Sequence, residues 1–289
     1  MSARARIRFW GTRSTCPAPG PHTVRYGGHT ACLDVQVGDT PPIILDAGAG
    51  LRPLGQWLAQ QEDDRPLHLV LTHRHADHVL GLAHFAPLFA AGRSIALCCA
   101  DGEQQSLASF VTMLLSPPLF PEVAGVTSRL SVHEWADCAA RRTEGMHLHR
   151  FPARHPGEAA IFRLDDAQGP VMAYAPDNEL AADDTDPTVT AWREALVAFL
   201  RGVPVLVHDA TYRHDELPRF RGWGHSSATE ATQLALACEA GTLVLFHHHP
   251  DRDDDAIDGM VDAARAQVHA DGGALRVLAA YDGLALSVL

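Results

Sequence analysis

The feature that most constrains this chain is a short polar cluster that directly follows an apolar run. The cluster is His73-Arg74-His75-Ala76-Asp77-His78, and the apolar run, Leu67–Leu71, is predicted to be a buried strand. Neutral imidazole and carboxylate are ligands that zinc, manganese and iron ions accept. Two ligands two residues apart cannot share one face of a helix, whereas a strand end and its loop can present both. A solvated histidine-rich loop is the alternative, and four ligand-type residues at this spacing favour a metal site.

Other apolar segments also end in residues of ligand type. Three further predicted strands end at such residues, which are Asp177, the pair His208 and Asp209, and His247. His155 follows another predicted strand, at 147–151. Strand ends feed loops on one edge of an α/β sheet, and such proteins place their chemistry at that edge. We therefore expect these distant residues to converge with the cluster at 73–78.

Length and composition indicate a globular α/β protein. With 289 residues, of which 46% are hydrophobic and 20% charged, the chain can bury a sizeable core. Predicted strands are joined mostly by turns in the first half and alternate with helices in the second, which favours layers with mixed sheets. We predict a single domain over residues 1–289. Within it, the proline-broken segment 101–128 is interpreted as a lid, a dimer contact or a helix packed on the core.

Charge and cysteine content bear on partners and compartment. The formal net charge of −12 argues against general binding of nucleic acid, whose affinity depends largely on neutralising phosphates. The start of the chain has no apolar signal segment, and no apolar run approaches the roughly 18 residues that span a bilayer. The six cysteines show no regular spacing and are predicted to be buried thiols in a reducing compartment. We expect a cytoplasmic protein that does not bind membranes.

Taken together, the motifs of this chain resemble those of the metallo-β-lactamase fold hydrolases. The motif at 73–78 is the signature of that fold, and later motifs are similar to its phosphodiesterase branch, which includes the tRNA 3′-processing endonuclease and the phosphonate-pathway cyclic phosphodiesterase. The motifs are Phe9-Trp10-Gly11-Thr12-Arg13, Leu45-Asp46-Ala47-Gly48, His155-Pro156-Gly157, Ala175-Pro176-Asp177, His208-Asp209-Ala210-Thr211, Gly224-His225-Ser226 and Leu245-Phe246-His247. This resemblance implies a four-layer αββα sandwich of two mixed β-sheets.

The same resemblance implies a centre for two divalent metal ions, zinc or manganese, with iron also acceptable. The ligands of one ion would be His73, His75 and His155. The ligands of the other would be Asp77, His78 and His247, and Asp177 would bridge the two ions. A hydroxide shared by the ions would attack the substrate phosphorus. Of the three adjacent imidazoles at 247–249, His247 is favoured because it ends the strand, and His248 and His249 are expected to be exposed.

Three residues are assigned catalytic roles by the resemblance. A histidine at the position of His225 contacts the phosphate in the relatives and protonates the leaving oxygen, and Asp209 would orient its imidazole. Capping of the following helix is the alternative for His225. Asp77 is assigned a catalytic role in addition to metal binding. Asp46 is interpreted as stabilising the turn beneath the metal site, with metal ligation as the alternative.

The predicted function is therefore a binuclear phosphodiesterase that cleaves a small or cyclic phosphodiester. A tRNA 3′-processing endonuclease is an alternative, although no long basic, glycine-rich arm is evident. A thioesterase of the glyoxalase II type would not explain His225. A non-catalytic metal-binding accessory protein of cofactor biosynthesis is the non-enzymatic alternative. A homodimer is expected from the resemblance and from the apolar segment 101–128. Relatives often have asparagine in place of His29 and glycine in place of Glu158, which leaves the substrate open.

Overall fold

The strands of this chain form two mixed sheets. The structure, a computed structural model, describes residues 3–61, 63–101, 106–121, 128–143 and 145–289. In chain order the strands are β1 (Ala5–Gly11), β2 (Cys32–Val37), β3 (Ile43–Leu45), β4 (Leu67–Leu71), β5 (Ser94–Cys99), β6 (Arg129–Glu134), β7 (Arg142–Thr143), β8 (Met146–Pro152), β9 (Ala160–Asp166), β10 (Gly169–Ala175), β11 (Val205–Asp209), β12 (Thr242–Phe246), β13 (Arg276–Ala279) and β14 (Ala285–Val288).

Each sheet combines parallel and antiparallel pairs. The first has the order β14-β1-β2-β3-β4-β5-β6, and the second has the order β13-β12-β11-β10-β9-β8-β7. Strands β3 to β6 are parallel in the first sheet, and β10 to β13 are parallel in the second. The remaining pairs are antiparallel. This arrangement places the carboxyl ends of β10, β11 and β12 at one edge of the second sheet.

The described residues include seven α-helices. They are α1 (Leu51–Leu58), α2 (Ala76–Val79), α3 (Leu107–Leu114), α4 (Pro187–Leu200), α5 (Leu217–Phe220), α6 (Ala228–Ala237) and α7 (Asp254–Ala270). Leu54 and Leu107 belong to a core on the outside of the first sheet, and Leu196 and Ile257 to one on the outside of the second. Within the described ranges, no helix has the length and apolar composition needed to cross a bilayer.

A third core lies between the two sheets. Phe9 of the first sheet and Phe246 of the second have ring centroids 6.1 Å apart, and Tyr174 packs edge-on against Phe246 at 5.5 Å. All three side chains are fully buried. Burying aromatic faces from both sheets joins them into one sandwich, because the apolar area removed from water drives this packing. The predicted αββα sandwich of two mixed sheets is confirmed.

Apolar periodicity in the sequence after the cluster at 73–78 predicts one helix over residues 79–90, and the structure does not contain it. Two turns of 3₁₀ helix occur there, at Leu80–His84 and Ala86–Phe89. Phe85 between them is extended (φ −83°, ψ 100°). Pro87 lacks the amide hydrogen that a continuous helix would bond to residue 83. Strand β6 was not predicted either, because its side chains are exposed or half-buried and give no apolar signal.

The segment 101–128 contains α3 as its helical part. The Ser106 side chain accepts the Ser109 backbone N–H at 3.2 Å and caps the helix. Leu107, Val111 and Leu114 are buried against the outer side of the first sheet. Residues 102–105 and 122–127 of this segment lie outside the described residues.

The prediction that all six cysteines are buried thiols is wrong for three of them. Cys98 and Cys138 form a disulfide, with Cα atoms 5.7 Å apart. Because 40 residues separate them along the chain, no local spacing reveals the pair. Cys16 is an exposed thiol, on the Pro/Gly-rich loop after β1. The other three cysteines are buried free thiols.

Candidate metal centre

The loop after β4 presents four ligand-type side chains at one end of the first sheet. His73 lies two residues beyond β4, and His75 precedes α2 with an extended backbone (ψ 153°). Asp77 and His78 lie in the single turn of α2. The rings of His73 and His78 are fully buried with centroids 4.4 Å apart. One short stretch of sequence thus brings four donors together.

The second sheet supplies the other predicted ligands from three separate strand ends. His155 lies in the loop after β8, Asp177 lies two residues beyond β10, and His247 directly follows β12. His247 has a φ of 62°, a left-handed conformation that costs a non-glycine residue roughly 1–2 kcal/mol. Its Nε2 lies 3.2 Å from Asp77 Oδ2. Such strained residues occur where the surrounding structure fixes a functional side chain.

Asp177 lies between two groups of histidines. Its Oδ1 is 3.0 Å from His78 Nε2 and 3.3 Å from His247 Nε2. Its Oδ2 is 3.5 Å from His155 Nε2 and 3.7 Å from His73 Nε2. The two oxygens of one carboxylate therefore face different groups, which is the arrangement of a bridging ligand.

The donor atoms form two compact sets. His75 Nδ1 lies 3.0 Å from His155 Nε2, and Asp77 Oδ2 lies 3.5 Å from His78 Nε2. Within each set all donor atoms lie within 4.8 Å of one another; the sets are His73, His75, His155 with Asp177, and Asp77, His78, His247. A third group that meets the same limit is Asp177, His225 and His247, so His225 lies within reach of these donors. The structure thus brings together all seven residues that the sequence suggested as ligands, in the two predicted groups.

The opposite ring nitrogens of four of these histidines are held by other groups. His78 Nδ1 lies 2.8 Å from Asp46 Oδ2, and His73 Nδ1 lies 3.1 Å from Thr72 Oγ1. In the second sheet, His155 Nδ1 lies 2.9 Å from the Gly224 carbonyl oxygen, and His247 Nδ1 lies 3.3 Å from Thr211 Oγ1. Such partners fix the orientation of metal-binding imidazoles and leave Nε2 free to coordinate.

Asp46 supports the cluster from below. In addition to His78, its carboxylate accepts the Thr72 backbone N–H at 2.7 Å, the Thr72 hydroxyl at 3.0 Å and the Tyr174 hydroxyl at 2.9 Å. Asp46 is buried and has a left-handed backbone (φ 60°). These contacts occupy the carboxylate, so Asp46 stabilises the turn beneath the cluster.

Three buried polar atoms of the cluster make no hydrogen bond of acceptable geometry within the described residues, although two of them lie 3.0 Å apart. They are His73 Nε2, His78 Nε2 and Asp177 Oδ1. Each unsatisfied buried group costs roughly 1–3 kcal/mol, so native structures rarely retain them without a reason. Coordination of divalent ions would satisfy all three, and imidazole with carboxylate suits zinc, manganese or iron. The residues present therefore fit a metal centre.

The charges of the cluster shift the pKa values of its members. Burial raises the pKa of the Asp177 carboxyl, but the imidazoles of His247, His78 and His73 outweigh burial and hold that pKa well below its ordinary value. Burial, helped by repulsion from His78, lowers the pKa of His73 well below its ordinary value. For Asp177 and His73 these are the protonation states in which they bind metal. Burial lowers the pKa of His78, but the Asp177, Asp77 and Asp46 carboxylates outweigh it and hold that pKa well above its ordinary value, so metal binding there must displace a proton.

His225 lies beside the cluster, in the loop before α6. Its Nδ1 is 2.8 Å from Asp209 Oδ2, and its ring stacks on His247 at a centroid distance of 5.2 Å. Burial lowers the pKa of His225, but the Asp209 carboxylate, assisted by Asp177 and Asp77, outweighs burial and raises it to about 9. Because Asp209 occupies Nδ1, the Nε2 atom remains to meet a substrate.

Ser227, not His225, caps α6. The Ser227 side chain accepts the Glu230 backbone N–H at 3.2 Å, and the Glu230 carboxylate accepts the Ser227 N–H at 3.1 Å. These reciprocal bonds form a capping box. The capping alternative for His225 is therefore wrong.

Asp209 is itself fixed by neighbours that the sequence did not identify. Its carboxylate accepts the backbone N–H groups of Asn178 at 3.1 Å and Thr211 at 2.9 Å, and the Thr211 hydroxyl at 2.8 Å. Thr211 thus contacts both Asp209 and His247. Its presence in the His-Asp-Ala-Thr motif is the signal that could have found it.

Asp77 also has a partner that sequence patterns do not show. The Thr15 backbone N–H donates to Asp77 Oδ2 at 2.7 Å. Thr15 has a left-handed backbone (φ 61°), on the Pro/Gly-rich loop after β1. A main-chain donor depends on loop conformation and not on residue type, so only the fold reveals it.

Two other histidines near strand ends do not join the cluster. His208 is fully buried, with Nε2 3.2 Å from Asn178 Nδ2, and it belongs to neither donor set. Successive strand residues point to opposite faces, so β11 directs only Asp209 toward His225. The prediction that His248 is exposed is wrong, because pairing with the Arg13 backbone buries it. Its Nε2 lies 2.9 Å from the Ala280 carbonyl oxygen, and burial lowers its pKa to about 3.

The fold and this His/Asp cluster define the class of metallo-β-lactamase-type hydrolases. The family model described as the beta-lactamase superfamily domain matches residues 42–248, well over half of the chain. The chain therefore belongs to the β-lactamase superfamily, within which its metal cluster and its relatives indicate a metal-dependent hydrolase.

The relatives in sequence include an uncharacterized protein and an enzyme. The uncharacterized protein, from Mycobacterium tuberculosis (strain H37Rv), is 27% identical over 217 residues, which cover 73% of this chain and 71% of that protein. A ribonuclease Z from Bradyrhizobium sp. is 27% identical over 285 residues, which cover 85% of this chain and 91% of the enzyme.

Solved structures confirm the fold. The metallo-beta-lactamase fold protein YhfI from Bacillus subtilis superposes with a TM-score of 0.67 at 17% identity, covering 98% of both chains. The short form of human tRNase Z gives a TM-score of 0.63 at 17% identity, covering 98% of this chain and 99% of that one. At such identities the likeness shows shared architecture alone.

Proposed function

We propose that this protein is a binuclear metal-dependent phosphodiesterase that cleaves a small or cyclic phosphodiester. The observation that carries the proposal is the His225–Asp209 pair, held at 2.8 Å beside the cluster around Asp177. Cleavage of a phosphodiester expels an alkoxide or phenoxide, which must acquire a proton. An oriented imidazole next to the metal site is the group that can donate it.

The ligand assignment follows the two donor sets. One ion would be held by His73, His75 and His155, and the other by Asp77, His78 and His247, with Asp177 bridging them. When bound, zinc or manganese ions, or iron, would make water nucleophilic at neutral pH and stabilise charge on the phosphoryl oxygens.

The residues outside the two donor sets handle the leaving group. As a hydroxide oxygen bonds to phosphorus, the bond from phosphorus to the leaving oxygen breaks, and His225 Nε2 donates its proton to that oxygen. A linear diester then gives a phosphomonoester and an alcohol or phenol, and a cyclic diester gives one phosphomonoester that carries the freed hydroxyl group. Asp209 keeps the Nδ1 proton in place and stabilises the imidazolium before transfer.

The test compares leaving groups that differ in their need for a proton. Hydrolysis of bis(p-nitrophenyl) phosphate and of a phenyl or alkyl diester is measured with protein loaded with zinc or manganese, whose metal content is determined. The p-nitrophenolate ion needs little protonation, so His225→Ala should affect its release mildly. For the alkyl leaving group the loss should be about 10²–10⁴-fold.

His249→Ala is the matched control, because this half-buried imidazole lies outside both donor sets. Asp177→Ala should be inactive toward both diesters. Absence of turnover by wild-type protein with full metal occupancy would contradict the phosphodiesterase. An equal loss for both leaving groups in His225→Ala would contradict the acid role of His225.

A tRNA 3′-processing endonuclease is the second candidate. The similarity to a ribonuclease Z over 85% of this chain favours it, and the net charge of −12 opposes it. Cleavage of a precursor tRNA, measured beside the small diesters, distinguishes the two. Faster cleavage of the RNA than of every small diester would favour the endonuclease.

A further inference from the structure

A large pocket opens beside the Asp77 side of the cluster. Its volume is about 650 Å³, within the range of small-molecule sites. Asp77 and Thr15 line it where it meets the metal centre. The opposite wall comes from α3 and the residues after it, including Leu119 and Phe120 of the segment 101–128.

The walls of this pocket are mostly apolar. Leu80, Leu114, Leu119 and Phe120 line it. Leu80 is 53% exposed and Leu119 is 63% exposed, so both present hydrophobic surface to the solvent-filled space. Large apolar side chains exposed in a concave site typically mark a place where an apolar group binds.

A positive charge borders the same pocket. Arg52 of α1 lines it, is exposed, and forms no hydrogen bond or ion pair within the described part of the chain. His29 also lines it, but its ring is engaged by Asp282 at 2.7 Å. A guanidinium without a carboxylate partner is available to bind a carboxylate or phosphate of a ligand.

The position of His225 indicates which part of a substrate enters. His225 does not border this pocket and instead lines a separate small cavity with Glu179 and Phe220. If His225 protonates the leaving oxygen, the leaving group lies near His225. The pocket beside Asp77 is then left for the substituent that remains on phosphorus.

We propose that this pocket, bordered by Asp77, Leu119, Phe120 and Arg52, binds the retained substituent of the substrate. This substituent is an aryl or similarly large apolar group that carries an anionic group reaching Arg52. The inference rests on the proposed phosphodiesterase function and assigns its substrate class. It also gives the segment 101–128 a role, because that segment supplies one wall.

The kinetic test keeps the leaving group constant. Diesters of p-nitrophenol with methanol, phenol and meta-hydroxybenzoic acid differ only in the retained substituent. We expect KM to fall about 10–70-fold from methyl to phenyl, because burying a ring removes roughly 60–100 Å² of additional apolar surface from water. KM should fall several-fold again with the carboxyphenyl ester.

The variants assign these preferences to residues. Leu119→Ala should reduce the methyl-to-phenyl ratio of KM toward one, and Arg52→Gln should abolish only the further fall in KM that the carboxylate gives. Met113→Ala is the matched control, because Met113 is 48% exposed on α3 and, unlike Leu114 of the same helix, does not line the pocket. Both Leu119 and Met113 are exposed, so neither substitution threatens the core.

Binding measured without catalysis separates the two proposals. Calorimetric titration of wild type and variants with methylphosphonate, phenylphosphonate and carboxyphenylphosphonate should give the same order of affinity. If no diester is hydrolysed but binding of the aryl phosphonates depends on Leu119 and Arg52, the phosphodiesterase proposal is wrong and the proposed binding pocket is supported. Equal affinity for methyl and phenyl compounds, or a preference that survives in both variants, overturns the pocket.

Discussion

The two sheets contribute to the metal centre in different ways. The first sheet provides its donors from one loop and one helical turn, all within residues 73–78. The second sheet provides its functional residues from four loops that lie far apart in the chain, namely His155, Asp177, His225 and His247. The first group is supported by Asp46 and the second by Thr211, Asp209 and the Gly224 carbonyl group.

This difference separates what is local from what depends on the whole fold. The first-sheet donors are placed by the conformation of a few residues, so the motif alone brings them together. The second-sheet residues meet only if β10, β11 and β12 pair in register and their loops take the right conformations. The donors His155 and His247, the proposed bridge Asp177 and the proposed proton donor His225 therefore depend on the pairing of the second sheet.

The largest effect should come from Asp177→Ala, because this carboxylate contacts both donor sets. We expect kcat/KM to fall by at least about 10³-fold, equivalent to roughly 4 kcal/mol of transition-state stabilisation, with loss of metal from both positions. Asp77→Ala removes contacts to one set only and should retain one equivalent of metal. Elemental analysis of the purified variants gives both stoichiometries. Full metal content in Asp177→Ala would contradict the bridging role.

Gly224→Ala should disturb the second-sheet side of the centre without touching the first. A Cβ at Gly224 would lie 2.3 Å from His155 Nδ1, and the residue has a φ of 84°. The imidazole must then move, and a displacement of about 1 Å can cost on the order of 10²-fold in rate. Activity and metal affinity measure the effect.

Gly222→Ala is the control for this substitution. Gly222 has nearly the same φ, 83°, but a Cβ there meets nothing within 4 Å. The Gly222→Ala variant should lose only the roughly 1 kcal/mol of unfolding free energy that the backbone strain costs, and its metal affinity should not change. If the two variants lose metal equally, backbone strain and not the His155 contact is responsible.

The sequence predicts the layers of this fold and the central strands well. Strands such as β4, β10 and β12 are buried, apolar and bounded by polar loops, so their pattern is strong. β6 lies at the outer end of its sheet with half-exposed residues and gives a weak pattern. The prediction of one helix over residues 79–90 is wrong for another reason. Pro87 and the extended Phe85 interrupt a segment whose apolar periodicity is otherwise helical.

The seven candidate ligands could be identified from residue type, strand ends and family resemblance. The groups that hold these ligands in position could not be identified from the sequence. Asp77 accepts a hydrogen bond from the Thr15 backbone N–H, and His155 Nδ1 contacts the Gly224 carbonyl oxygen. Both partners are main-chain atoms, which every residue type has, so residue identity does not reveal these contacts. The burial of His248 follows from pairing with a distant loop near Arg13, and the pocket beside Asp77 requires five separate segments to meet.

The residues that support the ligands should contribute more to metal affinity in the first sheet than in the second. Asp46→Asn replaces a buried carboxylate that also binds Thr72 and Tyr174, and we expect metal affinity to fall about 10–100-fold. Thr211→Val removes a weaker contact, 3.3 Å from His247 Nδ1, and should stay near the lower end of that range. Competition with a chromophoric chelator measures both. A larger loss in Thr211→Val would reverse the ranking of the sheets.

The smallest effect concerns a contact that connects the sheets. His29, on the loop before β2, lies 2.7 Å from Asp282, on the turn between β13 and β14 where the chain passes from one sheet to the other. The hydrogen bond to Asp282 raises the pKa of His29 above its ordinary value of 6.5, although partial burial and Arg52 oppose it. Protonated His29 therefore stabilises the folded state.

The sign of the pH dependence follows from this raised pKa. The stabilisation is fully present below the unfolded-state pKa near 6.5 and is lost as the pH rises through the higher folded-state pKa. His29→Asn keeps a hydrogen-bond donor but does not titrate. The difference in urea midpoint between wild type and variant, measured from about pH 5 to pH 9, should therefore shrink with rising pH. It should be small throughout, because the His29 side chain is 45% exposed. A difference that grows with pH would show that His29 does not join the sheets through its charge.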